Sequence, residues 1–307
     1  MALKNCYKSL IIIVLLLFPR IPSGFGEVQE AGEINLFQMI ARAELVVHVR
    51  VQEGSLKYAK VEILRALKGS PPADQLRIAF REYNWLRPAG QEEIVFPEGQ
   101  EEILFLSRDP SLKQKEKNRD IFMLYRGGKG RITPPAEGSG IVIEALDTLV
   151  QLTTVDPLSQ VDGLLGLLRT PNLYLLEAAV DEINRLGAAT PASYTDLVAL
   201  LSQPSPRIRT RALVSIEQIF ASGQIETESS GVGPESARAA LGAVIERARN
   251  DEEADVRVRA VAVMGAWPDK EEIASSLAAI AVSDPSQMVR YQAERTLYQL
   301  GQSPPRR

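Results

Sequence analysis

The sequence predicts a chain of two unlike halves, a small all-β barrel followed by an α-helical solenoid. Three observations carry this. Residues 45–125 contain short, β-branched, alternating apolar runs bounded by Gly, Pro and charged residues. From about residue 143 the apolar period changes from two to that of a helix. Within that second half a five-residue pattern recurs four times.

The chain starts with a segment that has the order of an export signal. Lys4 and Lys8 precede an apolar run at residues 10–18, and Gly24-Phe25-Gly26 supplies the small-x-small pattern before Glu27. The run is shorter than the ~20 residues a full membrane span needs. We therefore expect residues 1–26 to be a signal peptide and the mature protein to be periplasmic or extracellular, with no membrane contact unless the segment stays uncleaved as an anchor. Pro19-Arg20 leaves that second option open.

Composition narrows the chemistry. The chain has one Cys, Cys6, and one His, His48. Zinc sites of cysteines, or of paired cysteines and histidines, are therefore out of reach. A Ser-His-Asp triad would have to use His48. Losing Lys4, Lys8 and Arg20 with the signal moves the formal charge from −4 to −7. That acidity argues against a duplex nucleic-acid partner. The expectation is a non-enzymatic protein without metal or cofactor.

A short helix is expected at residues 35–43. Strands follow at 45–51, 58–67, 75–80, 102–106 and 120–125. The second ends at Lys68-Gly69-Ser70-Pro71-Pro72, a turn signal. Five strands in about 90 residues suit a small Greek-key barrel; an immunoglobulin-like sandwich is the rival. The Pro- and Gly-rich stretch 133–140 sets the boundary, giving a β domain at 27–142 and a helical domain at 143–303.

The repeats are Leu175-Leu176-Glu177-Ala178-Ala179, Ile208-Arg209-Thr210-Arg211-Ala212, Val256-Arg257-Val258-Arg259-Ala260 and Val289-Arg290-Tyr291-Gln292-Ala293, spaced by 33, 48 and 33 residues. An inserted loop at 221–235 accounts for the long interval, since each repeat touches only its neighbours. Apolar runs such as Leu164-x-x-Leu167-Leu168 and Leu197-x-x-Leu200-Leu201 precede two of these helices, so the unit is a helix pair. The recurrent Ala lets helices approach closely.

Asp251 before Val256-Arg257, and Asp284 before Val289-Arg290, resemble the HEAT repeat. The resemblance covers roughly residues 156–301. It implies a ladder of Asp251, Arg257, Asp284 and Arg290 between successive turns. Gln203 before Arg209 and Thr170 before Leu176 depart from the pattern. In the first half, the order of a helix, the strand containing His48, Leu67-Lys68-Gly69 and Ile103-Leu104-Phe105-Leu106 is similar to the OB-fold, netrin-like domain of tissue inhibitors of metalloproteinases. Those inhibitors engage zinc through an N-terminal Cys that the mature chain lacks, so their activity is not implied. Some HEAT-like proteins resemble bilin lyases, a poor fit to a chain without thiol chemistry.

Function is therefore expected to lie in a surface. Arg211 and Arg259 hold matching places in their helices and are expected to face outward. Gln292 holds that place in the last copy, with Arg295 one turn on. This row would bind a protein or peptide along the solenoid. Tyr83 and Trp85 form an aromatic cluster in a long loop, and residues 111–119 carry four basic side chains in a strand-to-strand loop. Both point to an alternative function, an anionic ligand or polysaccharide bound by the barrel. His48 is read as a half-exposed strand residue, Gly127-Gly128-Lys129-Gly130 as a turn, and the pairs Glu92-Glu93 and Glu101-Glu102 as solvated charge.

Overall fold

The computed structural model describes residues 35–302 apart from 56, 81–93, 109–120, 126, 136, 222–233 and 268–269. The expectations for residues 1–26, Tyr83, Trp85, the loop 111–119 and the pair Glu92-Glu93 lie outside the described residues.

The first described element is α1 (Leu36–Arg42), started by the Asn35 side chain, which accepts the Gln38 backbone N–H at 2.7 Å. Five strands then form the barrel: β1 (Leu45–Gly54), β2 (Tyr58–Lys68), β3 (Gln75–Ala79), β4 (Glu101–Ser107) and β5 (Ile121–Leu124). β1 pairs antiparallel with both β2 and β4, β2 with β3, β4 with β5, and β3 parallel with β5. The order β1-β2-β3-β5-β4 thus returns to β1 and closes the sheet. Closure rules out the sandwich and matches the OB-like expectation. Irregularities in the β1–β2 register after Val46, His48 and Val51 bend β1 enough to serve both neighbours. A short strand β6 (Arg131–Ile132) adds to β4. Gly69 ends β2 at φ +78°, a region disfavoured for other residues; a Cβ there would lie 2.6 Å from the Glu44 carbonyl oxygen.

Alternation sorts the strand residues. Val47, Val49, Val51, Val61, Leu76, Ile78, Leu104, Leu106 and Phe122 fill the barrel. Val46, Ile103 and Phe105 point the other way and join a second core built mainly by the helices. β1 and β4 are therefore covered on both faces, which explains their unbroken apolar runs.

Helices make up the rest: α2 (Ser139–Leu152), α3 (Pro157–Gly166), α4 (Leu173–Leu186), α5 (Tyr194–Ala199), α6 (Pro206–Ala221), α7 (Pro234–Asn250), α8 (Ala254–Gly265), α9 (Lys270–Ser283) and α10 (Gln287–Gln299). After α2 they form four pairs, a HEAT-like solenoid. The second members α4, α6, α8 and α10 pack on one another in sequence. Ala179, Ala212, Ala260 and Ala293 are each fully buried between helices. At Gly265 an added Cβ would come within 2.8 Å of the Thr296 methyl, so α8 and α10 touch closely there. The apolar runs at 164–168 and 197–201 continue from helix into a 3₁₀ turn. Asp156 and Asn172 cap α3 and α4 through backbone N–H groups of the first turn. The expected loop 221–235 is shorter at both ends, because α6 runs to Ala221 and α7 starts at Pro234.

The two halves share one core. Phe37 and Ile40 of α1, Val46, Ile103 and Phe105 of the barrel, and Val142, Leu146 and Leu149 of α2 belong to a single buried apolar cluster with the solenoid. Lys68 donates from Nζ to the carbonyls of Ile40, Ala41 and Ala43 at 2.7–2.9 Å, closing the C-terminal end of α1. At the other end, Asn35 donates to the buried Glu182 of α4 at 2.9 Å. Arg65 of β2 pairs with Asp147 of α2 at 2.7 Å.

Candidate functional site

The polar seam of the solenoid is built from one device used repeatedly. Arg257 donates to both carboxylate oxygens of Asp284, at 2.9 and 3.2 Å, and to the Asp251 carbonyl at 2.8 Å. One guanidinium thereby satisfies its own interhelix loop and reaches the next repeat's acid. Asp251 and Asp284 also accept the backbone N–H groups of Glu253 and Ser286. Among the described residues Arg290 makes only the loop half, to the carbonyls of Asp284 and Pro285.

Arg209 makes the whole device. It donates to the carbonyls of Gln203 and Pro204 and to Asp251 Oδ1 at 2.8 Å, with both side chains buried. The Asp251 hydrogen bond raises the Arg209 pKa above its ordinary value, against the cost of burial. Sequence reasoning excluded this copy because Gln203 is not acidic. Arg209 needs no acid at 203, because its own loop contact is to a backbone carbonyl, as that of Arg257 is, and the alignment of Ile208-Arg209 with Val256-Arg257 was the available signal. Between α4 and α6 the seam changes: Arg211 and Arg207 both pair with Asp181, and Asn184 donates to the Arg211 carbonyl.

The expected arginine row takes ion-pair partners within the solenoid. Arg211 lies 2.8 Å from Asp181, and Arg259 is paired with Glu217. Each reaches back to an acid on the preceding second-position helix, so neither is a free outward cation. Proximity of the repeats makes an inter-repeat ion pair available before solvent. Arg295 differs: it is exposed and carries no ion pair among the described residues.

Arg259 and Arg295 nevertheless meet. They line one shallow, solvent-open groove of about 460 Å³ with Thr210, Asp255, Val258 and Gln292. Ala262 completes its floor. The walls come from α6, α8 and α10. Arg211 is not part of the lining. Thr210, Asp255 and Val258 were missed because their places follow from how α6, α8 and α10 pack.

The barrel holds a second polar cluster. His48 is buried at 8% exposure, not half-exposed, because β1 is covered on its outer face as well. Its Nε2 lies 3.0 Å from Glu101 Oε2, and Arg50 donates to Glu101 Oε1 at 2.9 Å. The Arg50 hydrogen bond holds the Glu101 carboxyl below its ordinary range, partly opposed by desolvation. Glu102 is 1% exposed, which overturns the reading of this pair as solvated. The Thr133 hydroxyl donates to its carboxylate, 2.9–3.0 Å from the two oxygens, and burial pushes its carboxyl upward. Its alternation with Leu104 and Leu106 was the signal that it faces the barrel interior. Gly127–Gly130 forms a 3₁₀ turn. On the outer face of β2 and β3, Lys60 and Arg77 are register partners, and Arg77 lies over the Tyr58 ring at 5.2 Å. Among the described residues no three His, Cys, Asp or Glu side chains converge as metal ligands.

No family model matches the chain, and no curated protein matches it. Three solved structures resemble it over about half of the chain. The complex of CpcE and CpcF of phycocyanin lyase from Nostoc is 16% identical, covers 50% of this chain and 89% of its own, and has a TM-score of 0.37. A designed armadillo repeat protein in complex with the peptide (KR)4 is 16% identical, with 52% of this chain and 76% of its own covered and a TM-score of 0.38. An engineered protein at 14% identity covers 51% of this chain and 66% of its own, with a TM-score of 0.35.

Proposed function

We propose that this chain is an exported, non-enzymatic interaction protein whose solenoid holds an extended peptide or protein segment. The groove between α6, α8 and α10 is the observation that carries this reading. It is open rather than enclosed, as a chain needs and a small substrate does not. Its floor is apolar at Val258 and Ala262, and its rim offers the hydrogen-bonding groups of Thr210, Gln292 and Arg295. That combination suits a backbone with alternating side chains. Export rests on the order of charge, apolar run and small residues in 1–26. Tyr83 and Trp85 remain candidate contacts of the barrel half.

The test is to pan a displayed library of random dodecapeptides against the intact protein. Peptides should be enriched, and they should lose binding to Ala262→Trp, which fills the groove, while that variant keeps its circular dichroism melt. Absence of enrichment, or binding indifferent to Ala262→Trp, would sink the reading.

A further inference from the structure

We infer that the groove selects acidic segments, with Arg295 as the docking cation and Arg259 as the second contact. This rests on the peptide-binding reading above and adds the chemistry of the partner.

Arg295 brings a guanidinium that is exposed and without an ion pair among the described residues. Arg259 uses one Nη on Glu217, and its side chain stays 31% exposed. Gln292 spends its amide only on a contact to Thr296 Oγ1 at 3.4 Å, near the limit of a hydrogen bond. Donors are thus in excess along α8 and α10. The one carboxylate in the lining, Asp255, is exposed at the start of α8, one turn before Arg259. A ligand rich in acceptors, and above all a carboxylate with two oxygens for a planar guanidinium, completes this set. A basic segment would add donors where they are already surplus.

The helical half carries an excess of acid over base in its sequence. That field does not decide the matter. At physiological ionic strength charges are screened beyond about 8 Å, so the groups in the groove outweigh the distant ones. Acidity elsewhere instead limits where such a segment can lie.

The experiment uses fluorescein-labelled (Gly-Glu)₄, (Gly-Lys)₄ and (Gly-Ser)₄ peptides titrated against the intact chain by anisotropy. The acidic peptide should bind tightest. Arg295→Glu should weaken it by about fivefold or more, and Asp255→Asn should tighten it. Arg65→Ala, on the barrel strand β2, should leave it unchanged. Preference for the neutral or basic peptide, with binding still lost in Ala262→Trp, overturns this inference and leaves the peptide-binding reading intact. Acidic-peptide binding indifferent to Arg295→Glu also overturns it. Failure of all three peptides, together with an empty library selection, removes both.

Discussion

Arg209 and Asp251 lie in different repeats, 42 residues apart, and are 4% and 3% exposed. Removing Arg209 leaves the buried Asp251 with only the longer Arg247 pair at 3.5 Å and the Glu253 backbone N–H. Arg209→Ala is therefore expected to cost about 3–5 kcal/mol in a urea melt. The double variant Arg209→Met with Asp251→Leu should cost less than the single one, because the buried carboxylate is then gone and the Arg247 it also paired with is partly exposed. Additive losses would contradict this account. Glu102 makes the opposite case. Its folded pKa is raised, so the folded state holds its proton more tightly than the unfolded chain does. Below the unfolded value, near that of a free glutamate, both states are protonated and no penalty exists. As pH rises from there through the folded value, the unfolded state gains by ionising and stability falls. Glu102→Gln keeps a group that Thr133 can contact and removes the charge. It should raise the melting midpoint at pH 7.5 and give no gain below about pH 4. A gain independent of pH would point to packing instead.

At the scale of elements, α1 is the informative one. With 7 residues it is too short to hold together alone. Three tertiary devices secure it: burial of Phe37 and Ile40, the Asn35–Glu182 hydrogen bond, and the Lys68 ammonium on three carbonyls. Lys68→Met keeps the apolar stem and removes the donors. It should cost about 1–3 kcal/mol and speed amide exchange across residues 36–42. Unchanged exchange there would show that Lys68 is not the clamp. The helix itself was legible from Asn35 and the apolar spacing after it. Its anchors were not, since Lys68 reads in sequence only as part of a turn.

At the scale of the molecule, the shared core makes the halves dependent. Val46, Ile103 and Phe105 of the barrel and Val142, Leu146 and Leu149 of α2 are buried in the same cluster, and the barrel and solenoid belong to one compact unit. A change of period near residue 143 reads as a domain boundary, yet α2 starts at Ser139 and packs on α1 and β2. The intact chain should melt in one transition followed by both near- and far-ultraviolet circular dichroism. Two separated transitions, with the β signal lost independently, would refute the coupling.

Local spacing determined a great deal of this protein. Period two placed five strands, the helical period placed the helix pairs, and an apolar-Arg-x-x-Ala pattern in three copies, spaced by 48 and 33 residues, announced a solenoid. Tertiary structure alone decided which arginines stay free, which glutamate is buried, where the groove opens, and that barrel and solenoid share a core. Those outcomes turn on contacts such as Asn35 to Glu182, 147 residues apart, and Arg259 to Glu217, 42 apart. Charge and burial are set by what folding brings within a few ångströms, and a one-dimensional pattern carries no record of that distance.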